Sequence, residues 1–162
     1  MVWFVRILFL FCFSLYWGGL TFYTGFVVRI SHDVLNDPMD GGLITQRVTY
    51  ILQALGLAAV FLMGWNCIDV VRQSRKLGVL LIACVFLLSF ALVGLYLVHG
   101  QLDAVIDANA SEITDRVAFD RGHRRYNQLT TIQWLACLAY LPITVIAWQS
   151  IDRKAGVKHA TD

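Results

Sequence analysis

The sequence predicts an all-α integral membrane protein, a four-helix transmembrane bundle, and three observations carry that expectation. The first is composition: of 162 residues, 58% are hydrophobic and only 15% charged, against roughly half and about a quarter in a soluble domain. The second is charge spacing, because four stretches, 7–28, 48–68, 77–98 and 126–151, contain no Asp, Glu, Lys or Arg. Each has at least about twenty residues, the length an α-helix needs to cross roughly 30 Å of hydrocarbon. The third is aromatic placement. Trp3, Trp65 and Trp148 fall at one end of the predicted spans, while Tyr23, Tyr50, Tyr96 and Tyr126 mark the other end of all four, as interfacial belts do.

The first span is expected to remain in the protein. It is too long for a signal-peptide core, and Trp17, Gly18, Gly19 and Leu20 offer no A-x-A-like cleavage site. Both termini then share one side, with Arg6, Arg72, Arg75, Lys76, Arg153, Lys154 and Lys158 against Arg29, Arg47, Arg116, Arg121, Arg124 and Arg125 opposite. The first set lies in short segments close to span ends, which places both termini in the cytoplasm. That side is inner below and the other outer.

The connection between spans one and two holds Asn36, Asp37, Pro38, Asp40, Gly41 and Gly42, which reads as an ordered loop or two turns. The connection from Arg72 to Lys76 is short enough to make spans two and three an antiparallel hairpin. The segment 100–125 is expected to form an amphipathic outer helix running into span four. Asn109 followed by Glu112 fits a capping box there, and Ile113 and Val117 recur at helical spacing. Pro142 should kink span four, since its ring crowds the carbonyl of Leu138.

Helix association in a bilayer relies on close packing, so small residues mark the contacts. Ser14, Gly18, Thr21 and Gly25 form one face of span one, and Thr49, Gln53, Gly56 and Gly64 are spaced through span two. Cys12, Cys67, Cys84 and Cys137 fall one to each span, which reads as four small apolar side chains and not an extracellular disulfide framework; soft-metal ligation between helices is the alternative, with no C-x-x-C pair to support it.

The most informative polar pattern is Phe119, His123, Asn127, Thr131 and Trp134, at spacings of four, four, four and three on one helix face. Gln53, His99, Thr21 and Thr24 come to a similar depth. If the third helix persists past Gly100, His99, Asp103 and Asp107 share a face. The leading reading is interhelical hydrogen bonding, with His123, Asn127 and Thr131 facing protein and not lipid. The alternative is an outer polar cavity in which His99, Asp103 and His123 ligate a metal ion or handle protons; haem ligation by His99 and His123 is a third reading, without an attachment motif. Arg121, Arg124 and Arg125 read as a solvated helix face or as a contact for anionic headgroups or an acidic partner.

Gly41, Gly42, Leu43, Ile44 and Thr45 before span two, the segment Trp17, Gly18, Gly19, and the set Phe119, His123, Asn127 before span four resemble the uncharacterised four-span membrane family that includes transmembrane protein 205. The resemblance implies a four-helix membrane fold and names no reaction. Gln46, Arg47 and Val48 stand where animal members tend to carry proline and extra aromatics.

No nucleophile with a positioned base, no phosphate loop and no basic stretch interleaved with aromatics occurs in the chain, so an enzyme and a nucleic-acid-binding protein are not expected. No cofactor is expected either. The leading function is a small structural or accessory membrane protein that packs in the lipid bilayer against other membrane subunits or against itself. The alternative is a metal-ion or small-cation binding or transport protein using the outer polar cavity.

Overall fold

The computed structural model describes residues 2–35, 38–107 and 112–159. Helix α1 (Val2–Phe22) passes through a π-helical turn (Tyr23–Val27) into α2 (Val28–Val34). Then come α3 (Pro38–Gln73), α4 (Arg75–Asp103), the two-residue strands β1 (Ile106–Asp107) and β2 (Glu112–Ile113), and α5 (Arg116–His159). Four segments are long and apolar enough to cross a membrane: Trp3–Ser31, Asp40–Gln73, Arg75–Asp103 and Arg116–Lys154.

Each long helix buries one stripe. In α1 it is Phe9, Phe13, Tyr16 and Leu20, continued by Tyr23; in α3, Thr49, Gln53, Ala59, Met63, Cys67 and Val70. In α4 Leu81, Cys84, Leu88, Ala91 and Leu95 turn inward, and in α5 Gln133, Cys137, Tyr140, Thr144 and Ala147. In α1, α4 and α5 the spacings alternate between three and four, the geometry of helices packed nearly antiparallel. The outside is apolar too: Phe4, Phe61, Phe86, Phe90 and Leu97 are all 60% exposed or more. α4 packs extensively on both α3 and α5, α1 packs on α3, and the edge between α1 and α5 is sparse. α3 and α5 therefore lie diagonally across the bundle.

Two glycines allow close approaches in this core. At Gly56, a side-chain carbon would come within 2.9 Å of the Tyr16 ring and 3.1 Å of Leu92, so α3 is notched where α1 and α4 both reach it. At Gly78, just after the α3–α4 turn, a side chain would run into Val71. The turn itself is a single extended residue, Ser74, whose N–H bonds the Val70 carbonyl at 2.8 Å. This is the tight antiparallel hairpin the short Arg72–Lys76 connection predicts.

Two sequence expectations are corrected. The turn-rich approach to the second span is mostly helix: α2 continues to Val34, Leu35 is extended, and α3 starts at Pro38. Pro is favoured at a first helical position because its missing N–H would be unsatisfied there anyway. The separate amphipathic helix over 100–125 is not formed. α4 runs to Asp103, a hairpin pairs Ile106 with Ile113 and Asp107 with Glu112, and Arg116 opens a helix continuous with the fourth span. The N-cap is Asp115, whose Oδ1 accepts the Ala118 N–H at 2.9 Å. Glu112 lies in β2, and Asn109 lies outside the described residues. Pro142 sits inside α5, which continues unbroken through it.

The glycine contacts generate a paired test. Gly56→Leu should destabilise the bundle by about 1–3 kcal/mol, the usual cost of overpacking. Gly64, where a side chain would meet no atom within 4 Å, should accept leucine with little change. Thermal unfolding of the two variants in one detergent checks the contrast.

Candidate functional site

One polar cluster sits at the end of the bundle opposite the termini, where α4 does extend past Gly100 and brings Asp103 one turn beyond His99. Asp103 accepts hydrogen bonds from Gln46 Nε2 at 2.7 Å and from the Tyr50 hydroxyl at 3.2 Å. His99 Nε2 stands 3.6 Å from the same carboxylate, and the Tyr50 ring meets the buried imidazole edge-on at 4.5 Å. α3 thus holds Asp103 with two neutral donors while stacking against His99. Asp107 is in β1 and leaves the helical face.

His123 belongs to a different surface. Its neighbour Gly122 packs on Leu102 of α4, where a side-chain carbon would come within 2.8 Å. One residue turns a helix by about 100°, so His123 points away from α4, exposed and stacked on Phe119 at 6.0 Å. Among the described residues no group of three or more His, Cys, Asp or Glu comes close enough to hold a metal ion. His99, Asp103 and His123 are not brought together.

The two rows singled out in the sequence touch through one pair of residues. Trp134 Nε1 donates to Thr21 Oγ1 at 3.0 Å, and Trp134 lies 6.2 Å from Trp17 between ring centres. Thr21 of the α1 row (Ser14, Gly18, Thr21, Gly25) thus touches Trp134 of the α5 row (Phe119, His123, Asn127, Thr131, Trp134) on the sparse α1–α5 edge. A side chain at Gly18 or Gly25 would meet no atom within 4 Å, and Ser14, His123, Asn127 and Thr131 are exposed. Within this chain His123, Asn127 and Thr131 do not face the bundle interior, and Ser14, Gly18 and Gly25 are not at its internal contacts. Thr21 is the member of the α1 row that packs inside the chain. Thr131 donates to the Asn127 carbonyl at 2.9 Å, the back-bond a helical threonine makes when no other partner is near. In the second span, Gly56 is an internal contact and Gln53 is buried with neither amide atom hydrogen bonded among the described residues.

Sequence reading missed the polar network near the terminus end. Asn66 Nδ2 donates to the Tyr140 hydroxyl at 2.9 Å, and Trp148 Nε1 donates to Asn66 Oδ1 at 2.8 Å. The Tyr140 hydroxyl donates onward to the Met63 carbonyl at 2.8 Å, and Thr144 Oγ1 lies 3.4 Å from Asn66 Nδ2. Beyond Trp148, Arg6 binds both oxygens of Asp152, at 2.8 and 3.0 Å, with its guanidinium over the Trp148 ring at 5.0 Å and the Trp3 ring at 5.5 Å. A signal was present: Tyr140, Thr144 and Trp148 recur every four residues, as regularly as the row from Phe119 to Thr131. The pairing of Arg6 with Asp152 was not legible, because Asp69 also lies at that end.

Compared with known proteins, the chain matches no family model, no curated protein and no solved structure.

The two polar sets should respond differently to substitution. Asn66→Leu strips partners from both Tyr140 and Trp148 and should cost about 1–2 kcal/mol, the upper end for such bonds within helix bundles. His123→Ala removes an exposed ring and should stay within about 0.5 kcal/mol. Parallel thermal melts of these variants measure the difference.

Proposed function

We propose that this chain is a multi-pass membrane protein, both termini cytoplasmic, that acts as an accessory subunit by receiving a transmembrane helix of another subunit along the open α1–α5 seam. The observation that carries the reading is a pair of outward-facing rows, one small and one polar, that touch at the Trp134–Thr21 bond. On α1 the row is small, with glycines that leave the backbone open; on α5 it is polar, with the Asn127 amide and the His123 ring turned outward. Small residues let a neighbouring helix approach closely, and amide and imidazole groups give it hydrogen bonds. One residue past Tyr126 of the interfacial belt, the Asn127 amide stands at the headgroup boundary, where a partner helix can take its hydrogen bonds in place of water and headgroups. A partner helix covers the glycines and satisfies the amide at once.

The reading gives the chain no catalytic role. It also accounts for the closed polar node at His99 and Asp103: Gln46 and Tyr50 take up the carboxylate, so the cluster ties α3 to the end of α4 and leaves the seam as the surface available to a partner.

Site-specific photo-crosslinking in native membranes tests this directly. A crosslinker at Gly18 or Asn127 should give one discrete protein adduct, while one at Phe86, exposed on α4, should give lipid adducts only. Gly18→Leu combined with Asn127→Leu should abolish the adduct and change the thermal stability of the isolated chain by no more than about 0.5 kcal/mol. Lipid adducts at all three positions would overturn the proposal.

A further inference from the structure

At the terminus end the α1–α5 edge opens into a groove whose walls are apolar and whose mouth is charged. Trp3, Ile7 and Leu10 of α1 and Val145 of α5 form its bed, and their side chains are exposed to different degrees, from 37% at Leu10 to 71% at Trp3. The mouth is the Arg6–Asp152 pair. Both residues stand just beyond the charge-free runs 7–28 and 126–151, the depth at which headgroups meet hydrocarbon. From Asp152 down to Val145 is seven residues, roughly 10 Å of helix, enough to lie alongside the upper part of one acyl chain.

We propose that this groove seats one phospholipid whose headgroup is a zwitterion with a primary ammonium. The pair at the mouth presents a cation and an anion side by side, and the complementary ligand carries both signs in the same way. Asp152 is the more accessible partner: its side chain is 49% exposed against 11% for Arg6. Arg6 uses two N–H groups on Asp152, which leaves carboxylate lone pairs free for an ammonium. A primary ammonium donates N–H bonds to them; a quaternary one has none to give. Such a cation would otherwise seek an aromatic face, and here Arg6 already lies over both Trp3 and Trp148. The lipid phosphate falls beside the remaining Arg6 N–H groups and the exposed Gln149 amide, another residue of the groove. A purely anionic headgroup would meet Asp152 with like charge.

The test uses the full chain, delipidated in mild detergent and offered an equimolar mixture of phosphatidylethanolamine, phosphatidylcholine and phosphatidylglycerol with identical acyl chains. Native mass spectrometry then reads the retained lipid. The ethanolamine lipid should be retained roughly fivefold over the choline lipid, the scale of one partly exposed ionic contact. Asp152→Asn should erase that preference. Leu10→Trp, which fills the bed and leaves the pair intact, should lower retention of the ethanolamine lipid; it decides the matter if Asp152→Asn fails to fold. Equal retention of all three lipids, a preference for phosphatidylglycerol, or an ethanolamine preference that survives Asp152→Asn would overturn the proposal.

Discussion

Asn66 uses both ends of its amide on α5, and the arrangement of the bundle depends on that bridge. α3 and α5 lie diagonally and touch through long side chains: Asn66 to Tyr140 and Thr144, Trp148 back to Asn66, and Tyr140 onward to the Met63 carbonyl. Apolar contacts between helices are tolerant of sliding, because one methyl replaces another at small cost. A planar amide with a donor at one edge and an acceptor at the other is not tolerant. Moving α5 by one turn would leave the buried Asn66 amide without partners, a penalty of about 1–3 kcal/mol for each unsatisfied group. The network therefore fixes the register of α5 against α3. Through Trp148 it also sets where Arg6 of α1 settles.

The remaining contacts follow from shape. Gly56 leaves room for the Tyr16 ring and Leu92, so α1 and α4 reach the same point of α3. Phe9 and Phe13 then stack against Tyr140 from the α1 side, with ring centres 5.9 and 6.3 Å away. α1 is thus held by aromatic packing through the middle, by the Arg6–Asp152 pair at the terminus end, and by the Trp134–Thr21 bond toward the other. Between those ties the backbones of α1 and α5 stay apart, and the outer side of their edge is uncovered. The seam proposed for a partner helix and the groove proposed for a lipid are two portions of this one open edge, distinguished by what borders them. Toward the far end the border is small and polar; toward the termini it is apolar with a charged mouth.

The polar node at the far end shows how one side chain's surroundings set its role. His99 and Asp103, one turn apart on α4, have the residue types of a metal or proton site. Gln46 and Tyr50 approach from α3 and occupy the carboxylate, and His123 is turned away by the packing of Gly122 on Leu102. What results is a joint between α3 and α4, made of groups whose chemistry in another arrangement would be ligand binding.

By itself the sequence determined the four long apolar helices, the tight hairpin at Ser74 and the regular face from Phe119 to Trp134. Each of these depends on local information: a length without charges, a connection too short for anything but a turn, a spacing of four. It misread the segment before α5, where Asn109 and Glu112 imitate a helix start and the β1–β2 pairing, between residues five and seven apart, prevails. Only the tertiary structure decided which face of each helix is inside. In a soluble protein polarity would have settled it, since polar stripes face water. Here Gly56 is buried while Gly18 is open, and Asn66 is buried while Asn127 is exposed. Composition does not separate the members of either pair. The rotation of each helix about its axis is set by what stands opposite: a tyrosine ring that needs the Gly56 notch, and a tyrosine, a threonine and an indole that match both edges of one amide.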